Sequence, residues 1–146
     1  MKFQFRLKTA LRFTELEESK KKSEIGSIHN RVIDIERRLT LLNRNIRDLL
    51  GWSIGREVNV DRLVYQSRKI ETDRNELQKL ERNLVDIRNL LVQRREELLK
   101  IVMKRKALES KEEKDHKAFR TKVSRTEQKR LDDNHQLLKL NKKAEA

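Results

Sequence analysis

The sequence has no cysteine, no proline and only three glycines among its 146 residues. Without cysteine it can form no disulfide framework, zinc–thiolate site or thiol nucleophile. Proline breaks helix interiors, so its absence favours long uninterrupted helices. No apolar run approaches the ~20 residues that span a bilayer, and the first residues lack the continuous apolar stretch of a signal peptide. We therefore expect a cytoplasmic protein without a transmembrane segment.

Apolar side chains are also scarce. Hydrophobic residues make up 35% of the chain and charged residues 42%, and the formal net charge is +13. A chain this polar cannot build a thick globular core. Its composition fits either a coiled coil or a disordered chain, and the apolar periodicity decides between them.

The first periodic segment predicts a coiled-coil seam. Eight successive apolar positions are separated by alternating steps of three and four residues, which is the heptad pattern. They are Ile25, Ile28, Val32, Ile35, Leu39, Leu42, Ile46 and Leu49. Continued towards the N-terminus, the same frame meets polar residues at 21, 18 and 14 and then Leu11 and Leu7. We expect a strong seam over 25–49 and a loose one before it.

The second periodic segment has a row of apolar residues at intervals of seven: Leu63, Ile70, Leu77, Leu84, Leu91 and Leu98. Its companion row, three residues on, includes the polar residues Gln66, Asp73 and Arg94. After Leu108 the apolar residues leave a single frame, although helix-forming residues still dominate.

Between the two segments lies an interruption at 51–61 that holds two of the three glycines, and Asn59 or Asp61 suits the cap of a following helix. The prediction is all-α: an antiparallel two-helix coiled-coil hairpin with a C-terminal helical overhang, forming one domain over 1–146. We expect a helix over about 4–50, a hairpin tip over about 51–60, a helix over about 61–138 and a frayed tail over about 139–146. A fold about residue 55 places residue i opposite residue 110 − i. Leu39, Leu42 and Ile46 should then pack near Val64 and Ile70, and residues beyond about 108 have no partner within the hairpin.

No pattern in the sequence indicates catalysis, a cofactor or a metal. His29, His116 and His135 are dispersed, and we expect all three on the surface. Asp132 and Asp133 point about 100° apart on a helix, which does not suit a shared site. The chain lacks the glycine-rich loop that binds nucleotide phosphates. We therefore predict that it is not an enzyme.

The positive charges are interspersed with negative ones, as on solvated helix faces, and the longest basic run is Lys20-Lys21-Lys22. We accordingly expect no specific nucleic acid among its partners. Two other classes of function remain open: a structural homo-oligomeric coiled coil and a basic nucleic-acid-associated protein. Mass in solution and salt-dependent DNA binding would distinguish them.

Two parts of the sequence resemble the FliJ family of the flagellar type III export apparatus. The opening Phe3-Gln4-Phe5-Arg6-Leu7, with Leu11 four residues on, is similar to the start of that family. The C-terminal part carries Lys106-Ala107-Leu108-Glu109 and Glu127-Gln128-Lys129-Arg130-Leu131-Asp132-Asp133, which resemble the family's closing signature. The resemblance covers essentially the whole chain.

The resemblance implies an antiparallel coiled coil similar to the γ-subunit stalk of rotary ATPases. It implies a place in the pore of the hexameric flagellar export ATPase, contact with the membrane export gate protein, and a chaperone-like role in recycling export chaperones. It also implies a cytoplasmic protein that is peripheral to the cell membrane at the flagellar base and serves motility.

The overhang, residues 109–140, is where we expect the ATPase to bind. The predicted contact residues are Glu127, Gln128, Lys129, Leu131, Asp132 and Asp133, flanked at the hairpin's open end by Phe5, Leu7 and Leu11. At the other end, Trp52, Ile54 and Tyr65 are candidate tip contacts. We expect Trp52 and Ile54 to cap the end of the hairpin, and the alternative is an exposed anchor for a partner.

Overall fold

Two long helices account for most of the chain in the computed structural model, which describes residues 2–52 and 59–145. Helix α1 spans Lys8–Gly51 with 44 residues, and helix α2 spans Val60–Glu145 with 86 residues. The described residues include no β-strand. The all-α prediction is confirmed, while Ile54 lies outside the described residues.

Helix α1 begins four residues later than predicted. Its start is marked by a turn in which the Lys8 amide donates to the Phe5 carbonyl at 3.2 Å. Residues 4–7 include no acidic side chain that would favour a helix start at residue 4. The phenyl ring of Phe5 is buried instead, so residues 2–7 follow the packing of their aromatic side chains rather than the helical frame.

Helix α2 begins with a side-chain cap and continues further than predicted. The Asn59 side-chain oxygen accepts a hydrogen bond from the Asp61 amide at 3.2 Å, so Asn59 is the N-cap and Asp61 lies in the first turn. The segment 139–146, expected to fray, is helical through Glu145. No glycine or proline occurs after residue 55, so no residue signals an earlier stop.

The chain divides into two compact units. The hairpin unit is Glu18–Lys100, and the terminal unit combines Met1–Glu17 with Ile101–Ala146.

In the hairpin unit, α1 and α2 run antiparallel. Lys21 pairs with Glu97 at 2.8 Å, Glu24 with Arg94 at 2.9 Å and Glu36 with Arg88 at 2.7 Å. The first two of these pairs have residue numbers that add to 118, whereas a fold about residue 55 required 110, so the predicted register was wrong by about eight residues. The core consists of the apolar seam residues Ile28, Val32, Leu42, Ile46, Leu80, Leu84 and Leu91.

The hairpin seam becomes polar near the start of α2. Gln66 and Asp73 are 8% and 2% exposed, and the Gln66 amide nitrogen donates to the Leu49 carbonyl. Leu63 and Val64 are each 45% exposed, so the expectation that Val64 packs in the seam was wrong. Val64 belongs to neither heptad row of α2, so its position on the helix leaves it outside the seam.

In the terminal unit, the N-terminal residues pack along α2. The Phe3 ring lies 4.9 Å from the His116 ring, edge to face, and 5.6 Å from the Phe119 ring, centroid to centroid. Residues just beyond 108 therefore do have a partner in the chain, contrary to the prediction. The reason is geometric: a non-helical segment can span up to about 3.3 Å per residue and a helix only 1.5 Å. His116 is half-buried in this contact.

Candidate partner-binding surface

The exposed segment, residues 124–145 of α2, is the part of the described chain that buries least. Every side chain in it is exposed, including four leucines: Leu131 at 68%, Leu137 at 58%, Leu138 at 61% and Leu140 at 62%. The cause lies in the sequence. Where α2 would continue its packed face, it presents Thr126, Arg130 and Asn134.

The six predicted contact residues of this segment do not share one face. Successive residues of an α-helix are rotated by about 100°. Leu131 and Lys129 therefore point about 200° apart, which places them on opposite sides of α2. Glu127 and Gln128 lie on the Leu131 side, within about 60° of it, and so does Leu138 two turns further on, whereas Lys129, Asp132 and Asp133 point about 100–160° away from Leu131. The segment therefore has two faces of different character.

Two of the three predicted flanking residues belong to the core, and the third is half-buried. Phe5 and Leu11 are each 7% exposed and Leu7 is half-buried, so they cannot be offered to a partner without opening the terminal unit. The residues that sequence reasoning missed are Phe13 and Leu16, which are 60% and 70% exposed on α1. The signal for them was available, because the heptad frame that passes through Leu11 and Thr14 leaves both residues outside the seam.

The tip candidates that the structure describes differ in exposure. Tyr65 is 68% exposed. The Trp52 ring is half-buried, and the Arg62 guanidinium carbon lies 5.2 Å from its centroid, within cation–π range. Tyr65 is thus open to a partner, while Trp52 is already engaged by α2.

A four-charge network interrupts the seam of the hairpin unit. Glu97 accepts hydrogen bonds from Lys21 at 2.8 Å and from Arg94 at 3.0 Å. Lys21 also lies 3.3 Å from Glu24, and the Arg94 Nε is 2.9 Å from Glu24 in an ion pair without hydrogen-bond geometry. The bond from Lys21, followed by that from Arg94, lowers the pKa of Glu97. The same bond to Glu97 raises the pKa of Lys21. Such a network favours one register of the two helices.

The described residues contain no metal site and no helix that could span a membrane. Among residues 2–52 and 59–145 no three acidic, histidine or cysteine side chains come close enough to hold an ion. Over the same ranges, neither α1 nor α2 contains a stretch apolar enough to cross a bilayer. What these helices do offer is exposed surface, apolar on some faces and charged on others.

Comparison of the sequence with models of protein families identifies the family of this two-helix chain. The sequence model described as flagellar FliJ protein matches residues 2–144. The chain belongs to the FliJ family. It is therefore a flagellar export protein, and its partners lie within the flagellar export apparatus. No curated protein and no solved structure matches the chain.

Proposed function

We propose that this FliJ family protein is the coiled-coil stalk in the pore of the hexameric flagellar export ATPase. In this role it links the ATPase to the membrane export gate protein, aids the recycling of export chaperones, and works in the cytoplasm at the membrane-bound base of the flagellum without catalysing a reaction itself. The observation that carries the proposal is the exposed segment 124–145, in which four leucines stay more than half exposed. A helix that packs against nothing is only marginally stable in water. We therefore expect residues 124–145 to bind the surface of a partner.

The positions of side chains around α2 indicate which residues of the exposed segment we expect to contact the ATPase. Leu131 and Leu138 are seven residues apart and share one side of α2, with Glu127 one turn before Leu131. An apolar pair of this kind suits a groove on the partner, and the neighbouring charge sets the register. Phe13 and Leu16 replace Phe5, Leu7 and Leu11 as the accessible apolar residues at the start of α1.

The test compares two leucines on opposite sides of the exposed segment. Leu131 and Leu140 are 68% and 62% exposed, and nine residues of helix place them about 180° apart. Leu131→Asp should abolish capture of the purified export ATPase by the tagged chain and stop swarming. Leu140→Asp is the matched control and should leave both intact. If Leu131→Asp captured the ATPase as well as the unchanged chain does, the proposed contact would be wrong.

A truncation gives a second measurement. A cut after Val123 removes residues 124–145, whose side chains are all exposed, whereas a cut after Leu108 would also remove the His116 and Phe119 rings that contact Phe3. The chain cut after Val123 should keep its helical hairpin and lose ATPase binding. A stable homodimer by mass, with no effect on the ATPase, would favour the structural homo-oligomer instead.

A further inference from the structure

A line of positive charge runs along the side of α2 away from Leu131. Starting at residue 111, steps of three or four residues reach ten positions on one side of the helix. Seven of the ten are basic and one is acidic. We call this set the basic stripe: Lys111, Lys114, Ala118, Lys122, Arg125, Lys129, Asp132, Gln136, Lys139 and Lys143. It extends for about 48 Å along the helix axis.

The stripe takes little part in the packing of the terminal unit. All ten of its residues are exposed. Lys111 forms an ion pair with Asp115 at 3.6 Å, but Lys122, Arg125 and Lys129 form no ion pair with any residue of the described ranges. These three side chains line a shallow groove with Ala118, Thr121 and Thr126. The positive charge is therefore available to something outside this chain.

We infer that the basic stripe binds an acidic helical segment of another protein, whose carboxylates recur at the same three-and-four-residue spacing. Two regularly charged helices lying side by side can form a ladder of ion pairs, each with the geometry of the coiled-coil flanking positions. The small side chain of Ala118 allows a helix to approach closely at one point, and Asp132 offers a partner to a single cation on the other helix.

The composition of the stripe argues against two other anionic ligands, single-stranded nucleic acid and a membrane surface. Single-stranded nucleic acid is bound by basic grooves that also present aromatic rings for base stacking, and the stripe has no aromatic residue. Asp132 would also repel a phosphate chain. Binding on a membrane surface requires a broad apolar face beside the basic one. The exposed leucines of residues 124–145 do not form such a face, since Leu137 and Leu140 point about 120° and 180° away from Leu131. The inference does not depend on the ATPase being the partner.

The experiment uses the full chain and two triple variants with equal loss of charge. Lys122→Gln, Arg125→Gln and Lys129→Gln neutralise the middle of the stripe. Arg120→Gln, Arg130→Gln and Lys142→Gln neutralise three exposed cations that lie off it. Glutamine is a good helix former, and circular dichroism is used to check that both variants keep the helix content of the unchanged chain. Binding is measured by fluorescence anisotropy against a synthetic helical peptide with glutamates at alternating steps of three and four.

We expect the stripe variant to bind the peptide about tenfold more weakly and the off-stripe variant to lose less than about twofold, with binding that weakens as salt is raised. A peptide of the same composition with scrambled glutamates should bind more weakly than the periodic one. Equal losses in the two variants would overturn the inference, since net charge alone would then explain binding. It would also fail if oligo-dT or phosphatidylserine vesicles bound more tightly than the peptide in a stripe-dependent way. Normal peptide binding together with failed ATPase capture would contradict the proposed function and leave the stripe intact.

Discussion

Two stretches of α2 contain similar residue types, but leucines of the first are buried and those of the second are exposed. Over residues 66–98, leucines at 80, 84 and 91 are buried to 7–9% exposure. Over residues 124–145, leucines at 131, 137, 138 and 140 are 58–68% exposed. The difference is not leucine content or helix propensity but whether the apolar residues recur in the frame that faces a second helix. A heptad frame thus decides which part of a uniform helix serves folding and which part is left for partners.

The largest test of this comparison places the same charge at a leucine in each stretch. Leu84→Asp should lower the free energy of unfolding by about 3 kcal/mol or more, because it puts a carboxylate among Leu80 and Leu91 without a partner. Leu131→Asp should change it by less than about 0.5 kcal/mol, as expected for an exposed site. Urea unfolding followed by circular dichroism measures both. Similar losses would show that residues 124–145 are packed in solution.

The comparison also shows what the sequence could predict. The apolar frame over 25–49 and the two helices followed from spacing alone. The register did not, because it depends on how much chain the turn uses, and residues 51–61 carry no apolar pattern that fixes it. The role of residues 2–7 was also missed. Phe3 and Phe5 alternate and have no helical partner in sequence, so only the structure shows that Phe3 packs against α2 and that Phe5 is buried.

The two-sided character of the exposed segment was available in the sequence but hidden by reading a motif as one block. Residues 127–133 form a continuous string in the sequence, yet a helix distributes seven consecutive residues around almost two full turns. The basic stripe became visible only when the cations were counted at steps of three and four. Sequence motifs on a helix need the same periodic treatment as apolar residues.

The second test changes polarity where the packed stretch is polar. Asp73 is 2% exposed; its Oδ1 lies 3.2 Å from the Lys69 ammonium, and its Oδ2 has no hydrogen-bond partner. Asp73→Leu should raise the free energy of unfolding by about 1–3 kcal/mol, because the desolvation of a carboxylate is replaced by apolar burial.

Asp86 supplies the control for this test, since it is exposed on the same helix. Asp86→Leu should leave the free energy of unfolding, measured by thermal unfolding, within about 0.5 kcal/mol of the value for the unchanged chain. A loss of stability in Asp73→Leu would mean that the carboxylate contributes more through its pairing than it loses on burial.

The third test concerns backbone entropy within a packed helix. Gly26 lies in the interior of α1, where a Cβ would meet no atom within 4 Å. Gly26→Ala should therefore raise the free energy of unfolding by about 0.5–1 kcal/mol, because alanine has fewer unfolded conformations to lose. Gly51 is equally open but is the last residue of α1, so Gly51→Ala should give a smaller gain. Equal gains in differential scanning calorimetry would contradict this account.

The smallest expected effect lies in the four-charge network of the hairpin seam. Its bonds from Lys21 and Arg94 lower the pKa of Glu97 below its ordinary 4.5, so the carboxylate's stabilising contribution is complete above that value and is lost as the pH falls through the folded pKa. The raised pKa of Lys21 has its effect at high pH: the stabilising contribution of Lys21 is present below pH 10.5 and is lost as the pH rises through the higher folded pKa.

Glu97→Gln should thus lower the melting temperature slightly between these two pH limits, and in strong acid its melting temperature should converge with that of the unchanged chain. Glu96→Gln, an exposed neighbour, should show no such convergence. Because the Glu97 side chain is 44% exposed, added salt should shrink the difference. A difference that grew as the pH fell would show that the network destabilises the fold, and that the register depends on the apolar seam alone.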